Sequence, residues 1–104
     1  MNAETDAAEL LDRVRAQREA VLLAQREVEA LRVPGSSPYH EVTVTVLGTG
    51  EVAEVEFGPG VVESADAITL GSLVRSAVND GVRQLKEASR QRFQEVLDAS
   101  RQLL

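Results

Sequence analysis

The chain has 104 residues, of which 43% are hydrophobic and 27% charged, a composition that suits one globular domain spanning residues 1–104. It has no Cys, which excludes a disulfide framework, and its apolar runs fall short of the ~20 residues needed to cross a bilayer. The net charge of −6 disfavours indiscriminate adhesion to nucleic acid or anionic lipid, and we expect a soluble cytoplasmic protein with no membrane partner.

The first predicted element is a helix over residues 4–32, which contains no Gly or Pro and is rich in Ala, Leu, Glu, Gln and Arg. Apolar residues recur in it every seven positions, with a second series three positions further on. This pattern predicts a seam that packs lengthwise on another helix. Asn2 or Thr5 is the expected N-cap. The seam residues are Ala7, Leu10, Val14, Val21, Ala24, Val28 and Leu31.

The segment Val33–Pro38 ends this helix, because it contains two prolines and a glycine. Two interpretations remain open for its structure. It is either a pure loop or a short irregular strand at the edge of a sheet, where proline is tolerated.

Residues 41–57 form a predicted β-hairpin, with strands at about 41–47 and 51–57. Apolar and polar residues alternate along both strands, which is typical of strands with one buried face. A two-residue turn at Thr49–Gly50 would bring the apolar faces together, and Gly50 supplies the positive φ that such a turn needs. A hairpin with one apolar face needs a cover, which the helices before and after it can provide. The predicted pairs are Val42 with Phe57, Val44 with Val55, and Val46 with Ala53.

After a break at Gly58–Gly60, we expect a few extended residues at Val61–Val62 and then a second helix over residues 68–103. The expected fold class is α+β, with a small antiparallel sheet and two long helices. Unpaired apolar stripes on helices of this length favour oligomerisation. The residues that compete as N-cap of the second helix are Ser64, Asp66 and Thr69.

Positive charge is confined to two blocks, and the interval from Val33 to Val74 contains no Lys or Arg. On the second helix, five cations fall opposite the apolar side, within a sector of about 80° when each residue advances by ~100°. Arg92 is the exception, because it falls within the apolar stripe. An acidic strip of Asp80, Glu87 and Asp98 runs beside the cations. The five cations, called the basic row below, are Arg75, Arg83, Lys86, Arg90 and Arg101.

The order of these elements resembles the YbaB/EbfC family of bacterial nucleoid-associated proteins. The resemblance covers nearly the whole chain: a long first helix, the hairpin VTVTVLGTGEVAEVEFGP, and the helix LGSLVRSAVNDGVRQLKEASRQRFQEV. Within that helix, Ala77–Gly81 reads AVNDG and is similar to an Ala-x-Asn-Asp/Glu-Ala core. The chain departs from the family pattern at Gly81, where Ala is preferred, and at Pro34 and Pro38, where the family usually has a short glycine-rich strand.

The resemblance implies a sheet-centred homodimer with projecting helices that binds duplex DNA in the bacterial nucleoid with little sequence preference. It implies DNA contacts along the basic row and at Arg15 and Arg26 of the first helix. The sequence has no motif for a cofactor or a metal, so we expect neither. A row of cations along a helix suits the row of anions that phosphates offer. The residues expected in the core or the dimer contact are Val42, Val44, Val46, Val55, Phe57 and Leu85.

The sequence gives little support to an enzyme. His40 is the only histidine and has no Cys or carboxylate at ligand spacing, so we interpret it as a structural or surface residue. Ser37, His40 and Asp66 are the residue types of a hydrolytic triad, but no nucleophile elbow surrounds any serine. The alternative to DNA binding is a non-enzymatic interaction scaffold that has kept the fold and lost DNA, which the net charge and the acidic central segment favour.

Overall fold

A computed structural model describes residues 3–103 as an elongated molecule with extents of 75 × 18 × 18 Å. Two long helices and a three-stranded antiparallel sheet confirm the predicted α+β class. Within the described residues, no helix has both the length and the apolar character needed to cross a membrane. The elements are α1 (Ala3–Glu29), β1 (Arg32–Ser36), β2 (Val42–Leu47), β3 (Val52–Phe57), α2 (Val61–Ser64) and α3 (Ala67–Leu103).

The first helix differs from the prediction at both ends. It ends at Glu29 rather than at residue 32, because the Leu31 carbonyl already accepts a hydrogen bond from Gly48 of the hairpin loop, at 2.9 Å. This bond turns the chain from the helix into β1. Thr5 lies inside α1 and is therefore not its N-cap, and Asn2, the other candidate, lies outside the described residues.

The segment between the sheet and α3 also differs from the prediction. Val61–Val62 is not extended but begins the short helix α2, which follows Gly60 at a φ of 76°. Asp66 is the N-cap of α3, because its Oδ1 accepts a hydrogen bond from the Thr69 backbone N–H at 2.7 Å. That bond holds the pKa of Asp66 below its ordinary value. Ser64 instead donates its hydroxyl to the Gly60 carbonyl.

The segment after α1 is an edge strand, so the first of the two interpretations is excluded. β1 pairs antiparallel with β2, and the sheet order is β1-β2-β3. Pro34 lies opposite Thr45 in this ladder. An edge strand tolerates proline because one side of the strand needs no ladder hydrogen bond.

The hairpin confirms two of the three predicted pairs and corrects the third. Val46 pairs with Val52 rather than with Ala53, because a bulge opposite Thr45 and Val46 leaves Ala53 as an extra residue on β3. The register nearer the strand ends is as predicted. The confirmed pairs are Val42 with Phe57 and Val44 with Val55.

The hairpin loop explains this correction. Its turn, Gly48–Gly50, is closed by hydrogen bonds from Leu47 to Glu51 and from Gly50 to Leu47, each 2.8 Å. Gly50 has the expected positive φ, at 92°. Gly48 packs on the end of α1, where an added Cβ would lie 1.7 Å from the Val28 carbonyl oxygen. The loop is therefore shaped by contact with α1 as well as by its own turn.

The core lies between β2 and α3. Val42, Val44 and Val46 point to the same face of the sheet and are at most 1% exposed, and Ala77 of α3 is fully buried against them. α3 packs across β1 and β2. The partly buried side chains that complete this core are Leu73, Val74, Val78, Val82 and Leu85.

Two glycines allow α3 to lie close to β1. A Cβ on Gly35 would be 2.3 Å from the Ala77 carbonyl oxygen and 2.5 Å from the Gly81 nitrogen. A Cβ on Gly81 would meet a methyl group of Val46 at 2.6 Å. Gly81 lowers helix propensity by up to ~1 kcal/mol, and this close helix–strand contact is the structural reason for it.

Within the part of the chain that the structure describes, the third strand has no such cover, since all six residues of β3 are exposed. Val55 and Phe57 lie on the face that the buried valines of β2 share, yet both are 41% exposed. Val52, the partner of Val46, is 42% exposed. We call Val52, Val55 and Phe57 the β3 face.

The seam of α1 is covered only near the end of the helix. Ala24 and Val28 are buried where α1 packs on α3, and Val96 of α3 is buried as well. Leu10 and Val14 continue the same seam but are 55% and 53% exposed. The first half of α1 therefore projects with its apolar residues uncovered.

Candidate nucleic-acid interface

The basic row lies along the exposed side of α3. All five of its cations are exposed, and they extend from Arg75 to Arg101. That interval is about 39 Å long at ~1.5 Å per residue, which exceeds the ~34 Å of one DNA turn. The row is therefore long enough to follow a duplex backbone.

Three cations of the row form ion pairs with the acidic strip. In each pair the acid precedes the arginine by three residues, so the contact stays within one turn of the helix. The acidic strip therefore lies beside the cations, as expected from the sequence, and each of its three acids pairs with an arginine of the row. The pairs are Arg83 with Asp80 at 3.7 Å, Arg90 with Glu87 at 2.6 Å, and Arg101 with Asp98 at 3.4 Å.

These pairs are weak enough to exchange for another anion. Each arginine side chain is more than 60% exposed, and exposed pairs of this kind contribute little to stability. The tightest contact has a visible electrostatic effect: the hydrogen bonds between Glu87 and Arg90 lower the pKa of Glu87 and raise that of Arg90. A phosphate that binds the row must compete with these carboxylates.

The other cations of the predicted interface have no ion pair within the described residues. Arg75 and Lys86 are exposed on α3 and lie eleven residues apart. Arg15 and Arg26 are exposed on α1 and are also eleven residues apart, which is about three turns and places them on one side of that helix. These four cations are available without displacing a carboxylate.

Arg92 has a structural role instead. Its guanidinium crosses from α3 to Glu27 of α1 and also reaches Glu95, at 3.4 Å. The hydrogen bond from Arg92 lowers the pKa of Glu27. This ion pair explains why a cation interrupts the apolar stripe of α3: it joins α3 to α1.

A polar cleft of about 290 Å³ lies beside the basic row. The cleft lies between the end of β1 and α3. Asp80 links these two elements across the cleft, because its carboxylate accepts a hydrogen bond from the Ser36 backbone N–H at 2.9 Å. The same carboxylate accepts a bond from Gln84 at 3.0 Å. Sequence reasoning missed this link, because 44 residues separate its two partners. The cleft is lined by Ser36, Pro38, Ser76, Asn79, Asp80 and Arg83.

The loop between β1 and β2 forms one wall of the cleft and is tightly bonded. Ser37 is buried, and its Oγ accepts a hydrogen bond from Val42 N–H and donates one to Glu41, each at 2.9 Å. The Glu41 carboxylate also accepts a bond from Tyr39 N–H at 2.9 Å. Its own backbone N–H and then the Ser37 hydroxyl lower the pKa of Glu41. His40 is exposed and has a φ of 60°, which is unusual for a residue with a side chain.

Two of the three residues that could form a hydrolytic triad are hydrogen-bonded to other residues. Ser37 is bonded to Glu41, and Asp66 caps α3. Among the described residues, no three His, Cys, Asp or Glu side chains come together in a group that could hold a metal.

The fold and the side chains define the class of the protein: an α+β chain with one small sheet, two long helices and an exposed row of cations. The sequence model of the YbaB/EbfC DNA-binding family matches residues 2–100. The chain belongs to this family.

Curated relatives agree with that assignment, and a solved structure shares the fold. The chain is 32% identical over 92 residues to a nucleoid-associated protein of Thermobifida fusca, a match that covers 85% of this chain and 79% of the relative. It is 33% identical over 90 residues to a nucleoid-associated protein of Rhodococcus opacus, covering 86% and 80%. The fold is similar to the crystal structure of the uncharacterized protein HP0035 from Helicobacter pylori, with a TM-score of 0.65, 20% identity, and coverage of 93% of this chain and 98% of that one.

Proposed function

We propose that this chain is a nucleoid-associated protein of the bacterial cytoplasm that binds duplex DNA as a homodimer, mainly through phosphates and with little sequence preference. The observation that carries this proposal is the exposed basic row on α3 of a chain that belongs to a DNA-binding family. Phosphate contacts position a duplex without reading its sequence. Lys86 and Arg75 bind phosphate first, because within the described residues neither forms an ion pair that must be broken.

The ion pairs of the basic row lower the affinity for DNA that we expect. Arg83, Arg90 and Arg101 must exchange Asp80, Glu87 and Asp98 for phosphate, and each chain carries a net charge of −6. The ion pairs reduce the positive charge that DNA meets, and the net negative charge of the chain repels DNA. We therefore expect modest affinity that falls steeply as salt rises, since each phosphate contact releases counterions.

The homodimer is supported by the uncovered β3 face. An apolar strand face that no element of its own chain covers is stabilised when a second copy covers it. Pairing edge to edge is disfavoured, because an antiparallel β3–β3 ladder would place Glu54 and Glu56 opposite the same acids of the partner. We therefore propose that the protomers meet face to face, with Val55 and Phe57 at the contact.

The test compares two charge reversals of equal size. Lys86→Glu removes a cation of the basic row, and Arg32→Glu removes one from the sheet, where Arg32 pairs with Glu54 at 3.0 Å. Binding of labelled duplexes of unrelated sequence is measured by anisotropy at about 50 and 200 mM salt. Lys86→Glu is expected to weaken binding equally for all sequences and to reduce the salt slope by about one, while Arg32→Glu leaves it near wild type.

A protein-interaction scaffold is the second candidate, and the three internal ion pairs of the row favour it. It predicts no complex with duplex at micromolar protein and low salt, and a stoichiometric protein partner that nuclease treatment does not release. If Lys86→Glu and wild type bind DNA equally weakly, the DNA proposal is wrong and the scaffold remains.

A further inference from the structure

Tyr39 has a highly exposed side chain, and phosphate binding by the basic row does not explain this exposure. It sits at the turn between β1 and β2 and is 86% exposed. The chain contains one Tyr and no Trp, and aromatic residues make up only 3% of it. Full exposure of one of so few aromatic rings gives the fold no packing benefit, which points to a contact outside the chain.

The loop holds Tyr39 in a defined position. Glu41 accepts the Tyr39 N–H, the buried Ser37 is bonded to both Glu41 and Val42, and His40 N–H donates to the Ser37 carbonyl at 2.9 Å. His40 keeps a φ of 60° within this network. Strained backbone of this kind persists where surrounding bonds over-determine it, and it is concentrated at functional sites.

The loop also stands beside the basic row. Pro38, which directly precedes Tyr39, lines the polar cleft together with Asn79 and Arg83 of α3. Asn79 and Arg83 are exposed, and within residues 3–103 the one ion pair of the Arg83 guanidinium is the 3.7 Å contact with Asp80. A phosphate held by Arg83 would therefore lie near the tip that carries Tyr39.

We propose that Tyr39 is a DNA-contact residue: its hydroxyl donates a hydrogen bond to a phosphate oxygen next to the phosphate at Arg83, and its ring packs on the adjoining sugar. This inference rests on the proposed function. A backbone contact is favoured over base reading because tyrosine hydroxyls bind phosphate and the loop adjoins a row of phosphate-binding cations. A rigid loop makes this contact without a large ordering cost.

The single tyrosine makes the test direct, because the intrinsic emission of the protein comes from Tyr39 alone. Titration with an unlabelled duplex is expected to change that emission along the same curve that anisotropy of a labelled duplex gives. Tyr39→Ala is expected to weaken binding roughly tenfold, the loss of one hydrogen bond to a charged group. Tyr39→Phe keeps the ring and is expected to fall between wild type and Tyr39→Ala.

The matched control is Thr49→Ala, which changes an exposed turn residue at the opposite end of β2 and should bind as wild type. Circular dichroism verifies that the variants keep the fold. If the duplex binds while the tyrosine emission is constant and Tyr39→Ala has unchanged affinity, this inference is wrong and the proposed function stands. If no duplex binds at low salt, both are wrong. A Tyr39→Ala variant that retains DNA and loses a protein partner would likewise overturn the DNA contact.

Discussion

The two outer strands of the sheet have opposite surroundings. α3 packs on β1: the backbones of Gly35 and Gly81 lie close together, and the Ser36 N–H donates a hydrogen bond to Asp80. β3 has comparable apolar residues, but α3 leaves them largely uncovered, and Val55 and Phe57 are 41% exposed. The chain therefore completes one side of its core by itself and leaves the other side exposed, where we propose that a second copy packs.

The largest expected effect is at the β1 side. Gly35→Ala places a Cβ against backbone atoms of α3 that cannot move away, and it should lower the free energy of unfolding by about 3 kcal/mol or more. Gly71→Ala is the control, since Gly71 lies in α3 with open space where its Cβ would be, and it should raise that free energy by up to ~1 kcal/mol. Urea titration measures both. Equal stability of the two variants would refute the close-packed contact.

The next effect is at the β3 side and concerns assembly. Phe57→Glu puts a charge into the proposed contact and should convert a dimer of twice 11.2 kDa into monomers, with dissociation constants raised by roughly 30-fold or more. Sedimentation equilibrium measures the mass, and circular dichroism verifies the fold. Glu56→Ala, on the other face of the same strand, should remain dimeric. A Phe57→Glu variant that stays dimeric would exclude the β3 face as the contact.

A smaller effect separates the Asp80 link from surface ion pairs. Asp80→Ala leaves the Ser36 N–H without its acceptor and should lower the free energy of unfolding by about 1–2 kcal/mol. Asp98→Ala removes only the exposed contact with Arg101 and should change it by less than about 0.5 kcal/mol. Thermal or urea unfolding distinguishes them. The link has no role if both variants have the same stability.

The smallest effect is the acid sensitivity of the loop that joins β1 to β2. The pKa of Glu41 is lower in the folded chain than its ordinary 4.5, so the carboxylate stabilises the fold above that value, and this stabilisation is lost as the pH falls from about 4.5 through the folded pKa. Glu41→Gln should flatten the stability profile in that window. Ser37→Ala, which removes one donor to Glu41, should flatten it in part. An unchanged profile in both variants would contradict the assignment.

The hairpin, the basic row and Tyr39 show which structural features local sequence patterns can predict. Alternation along the hairpin predicted the pairs of Val42 and Val44, because side chains of a strand alternate between its faces whatever surrounds them. The same reasoning failed at Val46, where packing of Gly48 on α1 lengthened the loop and introduced the bulge. The cations of the basic row could be assigned to one side of a helix from their spacing, but their pairing with acids depends on side-chain conformations. Tyr39 carried no signal beyond its residue type, because its setting depends on a loop network and on a helix distant in sequence.

The amino-acid order by itself determined two long helices, a valine-rich hairpin and the confinement of cations to two blocks outside Val33–Val74. These follow from short-range rules of periodicity and turn chemistry, which act within a few residues. Only the tertiary structure decided that the segment after α1 joins the sheet as β1 (Arg32–Ser36), that Asp80 binds β1, and that β3 and the first half of α1 remain uncovered. Those outcomes depend on where α3 crosses the sheet, and that crossing is set by contacts between residues far apart in the chain.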